Sequence, residues 1–436
     1  MGRILGALLA CLAGPAWAQD SFELLAVDAA SAALGGAVTA TSEGFASVYY
    51  DPANLAFCKD SSVGVRAGYL MHGLDVTVPE GDPAAKGTPN RLGLTAGGCL
   101  RLPHALALGV AIDMSGNLLG LDVSTPNAQP RWLMYGSALQ RPTIQAALAW
   151  APREDLALGI GISASVAAEI GLAAGLPVFE DGTVQVEIAS KARAVAGVIA
   201  GVSYRPKRVK LGLTYRQAHY IHLQARTPIR LDEDDAVAIV DLSLASPYTP
   251  HQVALGVAVD PIPSLTLMAD LTWYHWSGYT GREGGFGPYI QAVPGTSEDL
   301  PEEANAADLL EYADVALVFR DTFSPRVGVE YRWRERLAVR GGYHYRMSPY
   351  PMPSGETNLL DRDTHTGSVG VGYTLRVGAK GEAWEERRHR LTVDGYGRIG
   401  VLGTALVEEA GRGQYARVVY GGEVFDVGVA LTYGWR

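Results

Sequence analysis

Few residues of this 436-residue chain have the types and spacings that perform covalent or metal chemistry. The nine histidines form no HExxH pair and no His-rich tract, so no metal site is expected. The acidic run Asp232-Glu233-Asp234-Asp235 lacks the spacing and the glycine of a calcium loop and reads as a solvated charge cluster. No GxSxG elbow, Walker loop or CxxC pair occurs, so no cofactor is expected and the chain is not read as an enzyme. The net charge of −10 argues against nucleic acid as a partner.

Three cysteines carry the remaining reactive chemistry. Cys11 lies in Met1–Ala18, which has one arginine (Arg3), an apolar core Ile4–Leu12, a Gly14-Pro15 break and the small-residue site Ala16-Trp17-Ala18. Residues 1–18 are therefore read as a secretory signal cleaved before Gln19. Leu8-Leu9-Ala10-Cys11 also fits a lipobox, but the apolar core before it would be very short, and simple cleavage is favoured. Export places Cys58 and Cys99 in an oxidising compartment, where they either pair as a disulfide or remain two free buried thiols. Trp273 and Trp276 are candidate ligand contacts as well as candidate belt aromatics. Their odd spacing puts them on opposite sides of a regular strand.

The elements that must position these residues are strands. From Ser62 onward apolar residues alternate with period two, most clearly at Phe425, Val427, Val429, Leu431, Tyr433 and Trp435. About fourteen strands are expected, at 62–78, 90–102, 105–118, 139–151, 155–171, 183–205, 208–225, 236–259, 264–278, 321–334, 337–347, 363–376, 388–402 and 414–435. Most reach the roughly 9–11 residues that a tilted strand needs to cross a bilayer. After the first residues no run of about 18 apolar residues occurs, which excludes helical spans.

Alternation alone fits a soluble sandwich too, but three features favour an all-β, roughly fourteen-stranded antiparallel transmembrane barrel. Tight turns (101–104, 152–154, 206–207, 260–263, 335–336) alternate with long connections, as in outer-membrane barrels. Aromatics fall at strand ends: Trp150, Tyr204, Trp333 and Trp435 on the short-turn side, Tyr69, Tyr215, Trp276 and Tyr345 on the loop side. The non-apolar face mixes isolated charges with Gly and Ala, which a lumen tolerates and which leaves room for a plug.

Ser31–Phe57, SAALGGAVTATSEGFASVYYDPANLAF, is the exception. It has neither strand nor heptad periodicity, is too short for a core of its own and too apolar to hang free in water. The expected domains are thus a signal at 1–18, a lumen plug at 19–60 and a barrel at 61–436.

The run Leu34-Gly35-Gly36-Ala37, followed by Ser47-Val48-Tyr49-Tyr50-Asp51-Pro52-Ala53-Asn54-Leu55, resembles the hatch of the FadL/TodX outer-membrane transporters of hydrophobic compounds. Ala269-Asp270-Leu271-Thr272-Trp273-Tyr274-His275-Trp276-Ser277 is similar to that family's ADxxWxxWS strand. Val339-Arg340-Gly341-Gly342-Tyr343-His344-Tyr345, with Ser348-Pro349 and Leu360-Asp361-Arg362-Asp363, is similar to its RxGYxYxxSP segment. The resemblance implies a hatched barrel in a diderm outer membrane that passively transports hydrophobic compounds such as long-chain fatty acids. Capture would be in the lumen and exit lateral. It implies hatch-motif roles for Gly35, Gly36, Asp51, Pro52 and Ala53. The mature N-terminus would touch the ligand through Phe22 and Leu24, and a kink in the third strand would open the exit, here at Gly116-Asn117. The family's Asn is Asp51 in this chain and its Gly is Asn54; a charged Asp51 calls for a lumen cation, Arg326, Arg332, Arg340 or Arg346. The partners implied are outer-membrane lipid and a hydrophobic small molecule. A PorV-like role, in which such a barrel binds other envelope proteins for secretion or surface attachment, remains the alternative, with an open porin a third.

Overall fold

The computed structural model describes residues 24–77, 90–115, 131–132, 134–135, 142–175, 185–220, 223–230, 237–244, 248–279, 289–292, 319–334, 336–350, 359–377, 389–408 and 417–435. Fourteen antiparallel strands close a barrel. They are β1 (Ser61–Thr77), β2 (Arg91–Leu102), β3 (Leu106–Ser115), β4 (Thr143–Arg153), β5 (Leu156–Gly175), β6 (Gln185–Tyr204) and β7 (Val209–Arg216). The second half is β8 (Gln252–Ile262), β9 (Leu265–Tyr274), β10 (Thr322–Trp333), β11 (Leu337–Arg346), β12 (Thr364–Val377), β13 (His389–Glu408) and β14 (Arg417–Trp435). Each pairs with its neighbour in sequence, and β1 meets β14 in unbroken register from Ser61↔Trp435 to Thr77↔Val419. Closure leaves no edge, so every strand's backbone groups are paired inside lipid.

Period-two chemistry sets which way the wall faces. On β4, Ile144, Ala146, Leu148 and Trp150 point outward, while Thr143, Gln145, Ala147 and Ala149 point in. Burial is inverted relative to a water-soluble protein: Val369 is 65% exposed and Arg66 is 0% exposed. Only an apolar solvent outside makes that arrangement favourable. Trp150, Tyr204 and Trp333 lie exposed near the short-turn rim, Tyr69 and Tyr215 near the opposite rim. The short turns take left-handed backbone at His104, Ala105, Lys207 and Arg334.

Two expected strands are corrected. The stretch 208–225 ends as barrel strand at Arg216, and 236–259 is three separate strands, Val237–Leu244, Tyr248–Thr249 and β8, which starts only at Gln252. The alternation between them belongs to a separate three-stranded sheet, Leu223–Arg230 paired with Val237–Leu244, which in turn pairs with Tyr289–Ala292. Pro250 has no N–H to donate and precedes the restart of the wall. A pattern of two cannot distinguish strands in the membrane from strands above it.

Leu24–Phe57 fills the lumen as short helical pieces: Ala29–Ala33, Gly44–Ala46, Ser47–Tyr50 and Pro52–Phe57. Asp28 and Ser31 form a reciprocal cap at the first of these, with Ser31 N–H donating to Asp28 Oδ1 at 2.8 Å. Helices of four or five residues do not persist in water. Here the wall buries them: Leu25, Val27, Ala32, Ala33, Val48 and Leu55 are all at 0% exposure. Residues 1–18, Phe22 and Gly116-Asn117 lie outside the described residues.

Candidate functional site

The hatch is held by side chains that the wall's inner face directs at its backbone. Asp270, the acid of the ADxxWxxWS stretch, accepts from Thr39 N–H at 2.7 Å. On β7, Thr214 donates to Tyr50 O at 2.8 Å, and Arg216 donates to Tyr49 O and packs over the Tyr49 ring. Ser368 donates to Ala33 O at 3.0 Å, and Arg398 to Leu24 O at 2.7 Å. At the short-turn rim Arg205 donates to Asn54 Oδ1 at 2.8 Å and covers the Phe57 ring. Each such bond contributes about 1 kcal/mol net. The residues come from β7, β9, β12, β13 and the turn after β6, so these bonds fasten the hatch along the β6–β13 side of the wall. The sequence showed these side chains only as isolated polar residues on the inward face.

The wall is also shaped to the hatch. A Cβ on Gly97 would lie 2.6 Å from Phe45 Cβ, one on Gly109 2.6 Å from Val48 Cγ2, and one on Gly256 2.7 Å from Thr39 Cβ. At Gly159 it would overlap Pro52 and Ala53, at Gly201 Asp51, and at Gly342 the Leu34–Gly35 peptide. Lumen glycines are thus an imprint of the segment they enclose. Gly35 and Gly36 take left-handed φ of 63° and 77°, where a side chain is strained, and turn the chain against β11 beside Arg326.

Asp51 caps the DPANL turn, accepting from Ala53 N–H at 3.0 Å through Oδ1, with Pro52 in the first turn. Its other oxygen has no hydrogen-bond partner, and the residue is fully buried. Desolvation pushes its carboxyl up to about 7 despite the nearby Arg205 and Arg216 guanidinium groups. The expected arginine partner is therefore corrected. Arg326 donates to Thr272 and Tyr274, Arg332 and Arg340 pair with Glu330, and Arg346 is held by Asp361. The substituted motif residue Asn54 is fully used, donating to Thr39 O at 2.9 Å and Ser42 Oγ at 2.8 Å.

Above the hatch's first residues lies a cavity of about 50 Å³. Leu24, Leu70, Tyr135 and Val424 form an apolar side; His344, Arg346, Thr364, Thr366, Arg398 and Asp426 form a polar one. Arg398 pairs with Asp426 and Arg346 with Asp361, so the guanidinium charges are already compensated. One contiguous apolar cluster joins Leu25, with Leu24 against it, to a ceiling of rings on the loop side. Trp276 meets Tyr248 at 6.0 Å and Phe319 at 5.9 Å; Trp132 meets Tyr420 at 5.6 Å.

The two tryptophans separate because β9 ends at Tyr274 and Trp276 opens the 3-10 turn that follows it. Trp273 lies on the lipid-facing row of β9 and donates to Asp321 at 3.2 Å; Trp276 is 4% exposed inside the ceiling and is no girdle residue. Leu24 reaches the cavity, and Gly35, Gly36, Asp51, Pro52 and Ala53 all pack into the hatch–wall contact. Cys58 and Cys99 are both buried, and each carries a thiol here. Ser277, His275 and Asp321 gather near the loop rim, but Ser277 Oγ donates to Asp321 at 2.7 Å and both neighbours contact the same His275 Nδ1. This leaves no Ser–His–Asp relay, in which the two ring nitrogens serve different partners. No group of ligating side chains with metal geometry occurs among the described residues.

Against known proteins, the model of the outer membrane protein transport family (OMPP1/FadL/TodX) matches residues 9–380. The chain belongs to this family. No curated protein matches it in sequence. Among solved structures, a Pseudomonas aeruginosa FadL homologue is 13% identical with a TM-score of 0.55, covering 94% of this chain and 97% of its own. The P. putida toluene transporter TodX is 14% identical with a TM-score of 0.53, over 94% and 98%. The Ralstonia pickettii toluene transporter TbuX is 13% identical with a TM-score of 0.51, over 94% and 98%. At such identities the likeness concerns the fold. As a FadL/TodX barrel the chain resides in the outer membrane, in a family that transports hydrophobic compounds.

Proposed function

We propose that this barrel carries long-chain fatty acids or similar amphiphiles passively across the outer membrane, capturing them under the aromatic ceiling and releasing them laterally. The observation that carries the reading is the unbroken apolar cluster from Trp276 and Trp132 down to Leu25, ending at a cavity with one polar side. An apolar tail gains about 25 cal/mol per Å² buried along such a route. A head group finds a polar side at Thr366, Thr364, Arg346 and Arg398 that a bare hydrocarbon would not use, although the two arginines already pair with Asp361 and Asp426.

A cavity of about 50 Å³ admits a head group but not a chain. Entry therefore needs the hatch's first residues to yield. Ala26 takes a left-handed φ of 61°, which strains a residue with a side chain, and Leu24 is tied by its carbonyl to Arg398. Phe22 and Leu24 are the proposed hatch contacts and Gly116-Asn117 the proposed exit kink.

The test is uptake of labelled long-chain fatty acid by a deletion strain complemented with wild-type protein or with Arg398→Ala. Complementation should restore uptake and the variant should lower it several-fold. Equal uptake with and without the wild-type gene would remove the proposal and favour binding of envelope proteins.

A further inference from the structure

We propose that Cys58 and Cys99 form a disulfide in the exported protein and that it pins the root of the hatch to the wall. The inference rests on the lumen hatch and not on any ligand. Cys58 is the residue at which the hatch ends: its N–H donates to Leu55 O at 3.1 Å, closing the Pro52–Phe57 turn, three residues before β1 begins. Cys99 points into the lumen from β2, opposite Ser62 of β1 and Gly109 of β3. Both side chains lie in the same apolar cluster with Phe45, Val48 and Leu55, at 8% and 2% exposure.

The chemistry is thiol–disulfide exchange. Two thiols lose two protons and two electrons, the Sγ–Sγ bond forms, and the disulfide of an envelope dithiol oxidase is reduced to its dithiol. Because both thiols are buried in the closed barrel, exchange takes place on the exported chain before the wall closes, and the finished bond is shielded from reductant.

The position determines what the bond does. It anchors the end of the hatch near the short-turn rim, whereas Leu24, at the cavity, lies at the opposite end of the segment. A ligand can therefore displace the first hatch residues while the body stays tethered, and the hatch cannot swing out as a unit.

Protein purified from outer membranes without reductant is unfolded in acid and treated with a maleimide–polyethylene glycol, with and without prior reduction. The expected result is no labelling before reduction and two labels after it; two labels before reduction would overturn the proposal. Planar-bilayer conductance in moderate urea then reads hatch release. Wild type should stay closed, while wild type reduced during unfolding and refolded, and Cys58→Ser/Cys99→Ser, should open at least several-fold more often. Equal opening in all three would show that the bond pins nothing. Fatty-acid uptake by the double variant under non-denaturing conditions should equal wild type, so loss of the pin and loss of the transport reading are separable.

Discussion

Asp51→Asn tests how the hatch is fastened. The Asp51 carboxyl rises from 3.8 to about 7 because burial desolvates it, a shift of roughly 3 pH units, and at 1.36 kcal/mol per unit this is about 4 kcal/mol. The docked hatch prefers the protonated acid, so the stabilisation is fully present below about pH 4. It falls as the undocked chain ionises and is lost by about pH 7, where the docked form ionises too. Docking of wild type should therefore weaken by about 4 kcal/mol between those limits and then level off. Asparagine keeps the acceptor for Ala53 N–H and cannot ionise, but places an NH₂ where Oδ2 has no partner, at a cost of about 1–2 kcal/mol. The variant should be slightly weaker than wild type at pH 4 and stronger by about 2–3 kcal/mol at pH 8, with a crossing between. Hydrogen exchange of peptides covering 45–57 in detergent-solubilised protein, across pH at constant salt and corrected for intrinsic rates, measures this directly. Parallel pH curves for the two proteins would refute the reasoning, and so would a variant weaker at pH 8 than at pH 4.

Other outcomes follow from the same geometry. Gly201→Val puts side-chain atoms where Asp51 and Pro52 sit, and should displace the DPANL turn, raising single-channel conductance well above wild type while the barrel still folds. Arg340→Ala leaves Glu330 and Asp394 facing each other without their shared cation, costing about 3–5 kcal/mol, read as a lowered urea midpoint. Trp276→Ala should cost about 3–5 kcal/mol of local stability and loosen the ceiling, whereas Trp273→Ala, on the lipid side, should cost about 1 kcal/mol or less; hydrogen exchange at 248–279 separates them.

Much of this was legible before any coordinates. Ser61–Thr77, Leu337–Arg346 and Thr364–Val377 fall within a residue of the expected strands, because a wall with lipid outside and small or polar residues inside writes a strict period of two. The same pattern failed at 208–225 and 236–259, where pairing above the membrane obeys identical chemistry. The hatch stood out by composition and its DPANL turn by motif. Its partners did not: charge alone calls for a cation at Asp51, yet Oδ1 lies against Gly201 capping Ala53 N–H and, among the described residues, Oδ2 has no hydrogen-bond partner. Arg205, Arg216 and Thr214 bind backbone carbonyls, and a carbonyl carries no sequence signature.

The glycines moulded to the hatch have a consequence for assembly. A cast is made around its object, and grooves at Gly97, Gly109, Gly159, Gly201 and Gly342 are useful only if their occupant is present when β1 meets β14. Threading a segment with side chains as large as Phe45 and Tyr49 into a finished cylinder would mean forcing it past walls already at van der Waals distance. The hatch is thus a mandrel as much as a plug. The strands roll up around it, and the inner face of the wall matches a shape supplied by the first part of the chain.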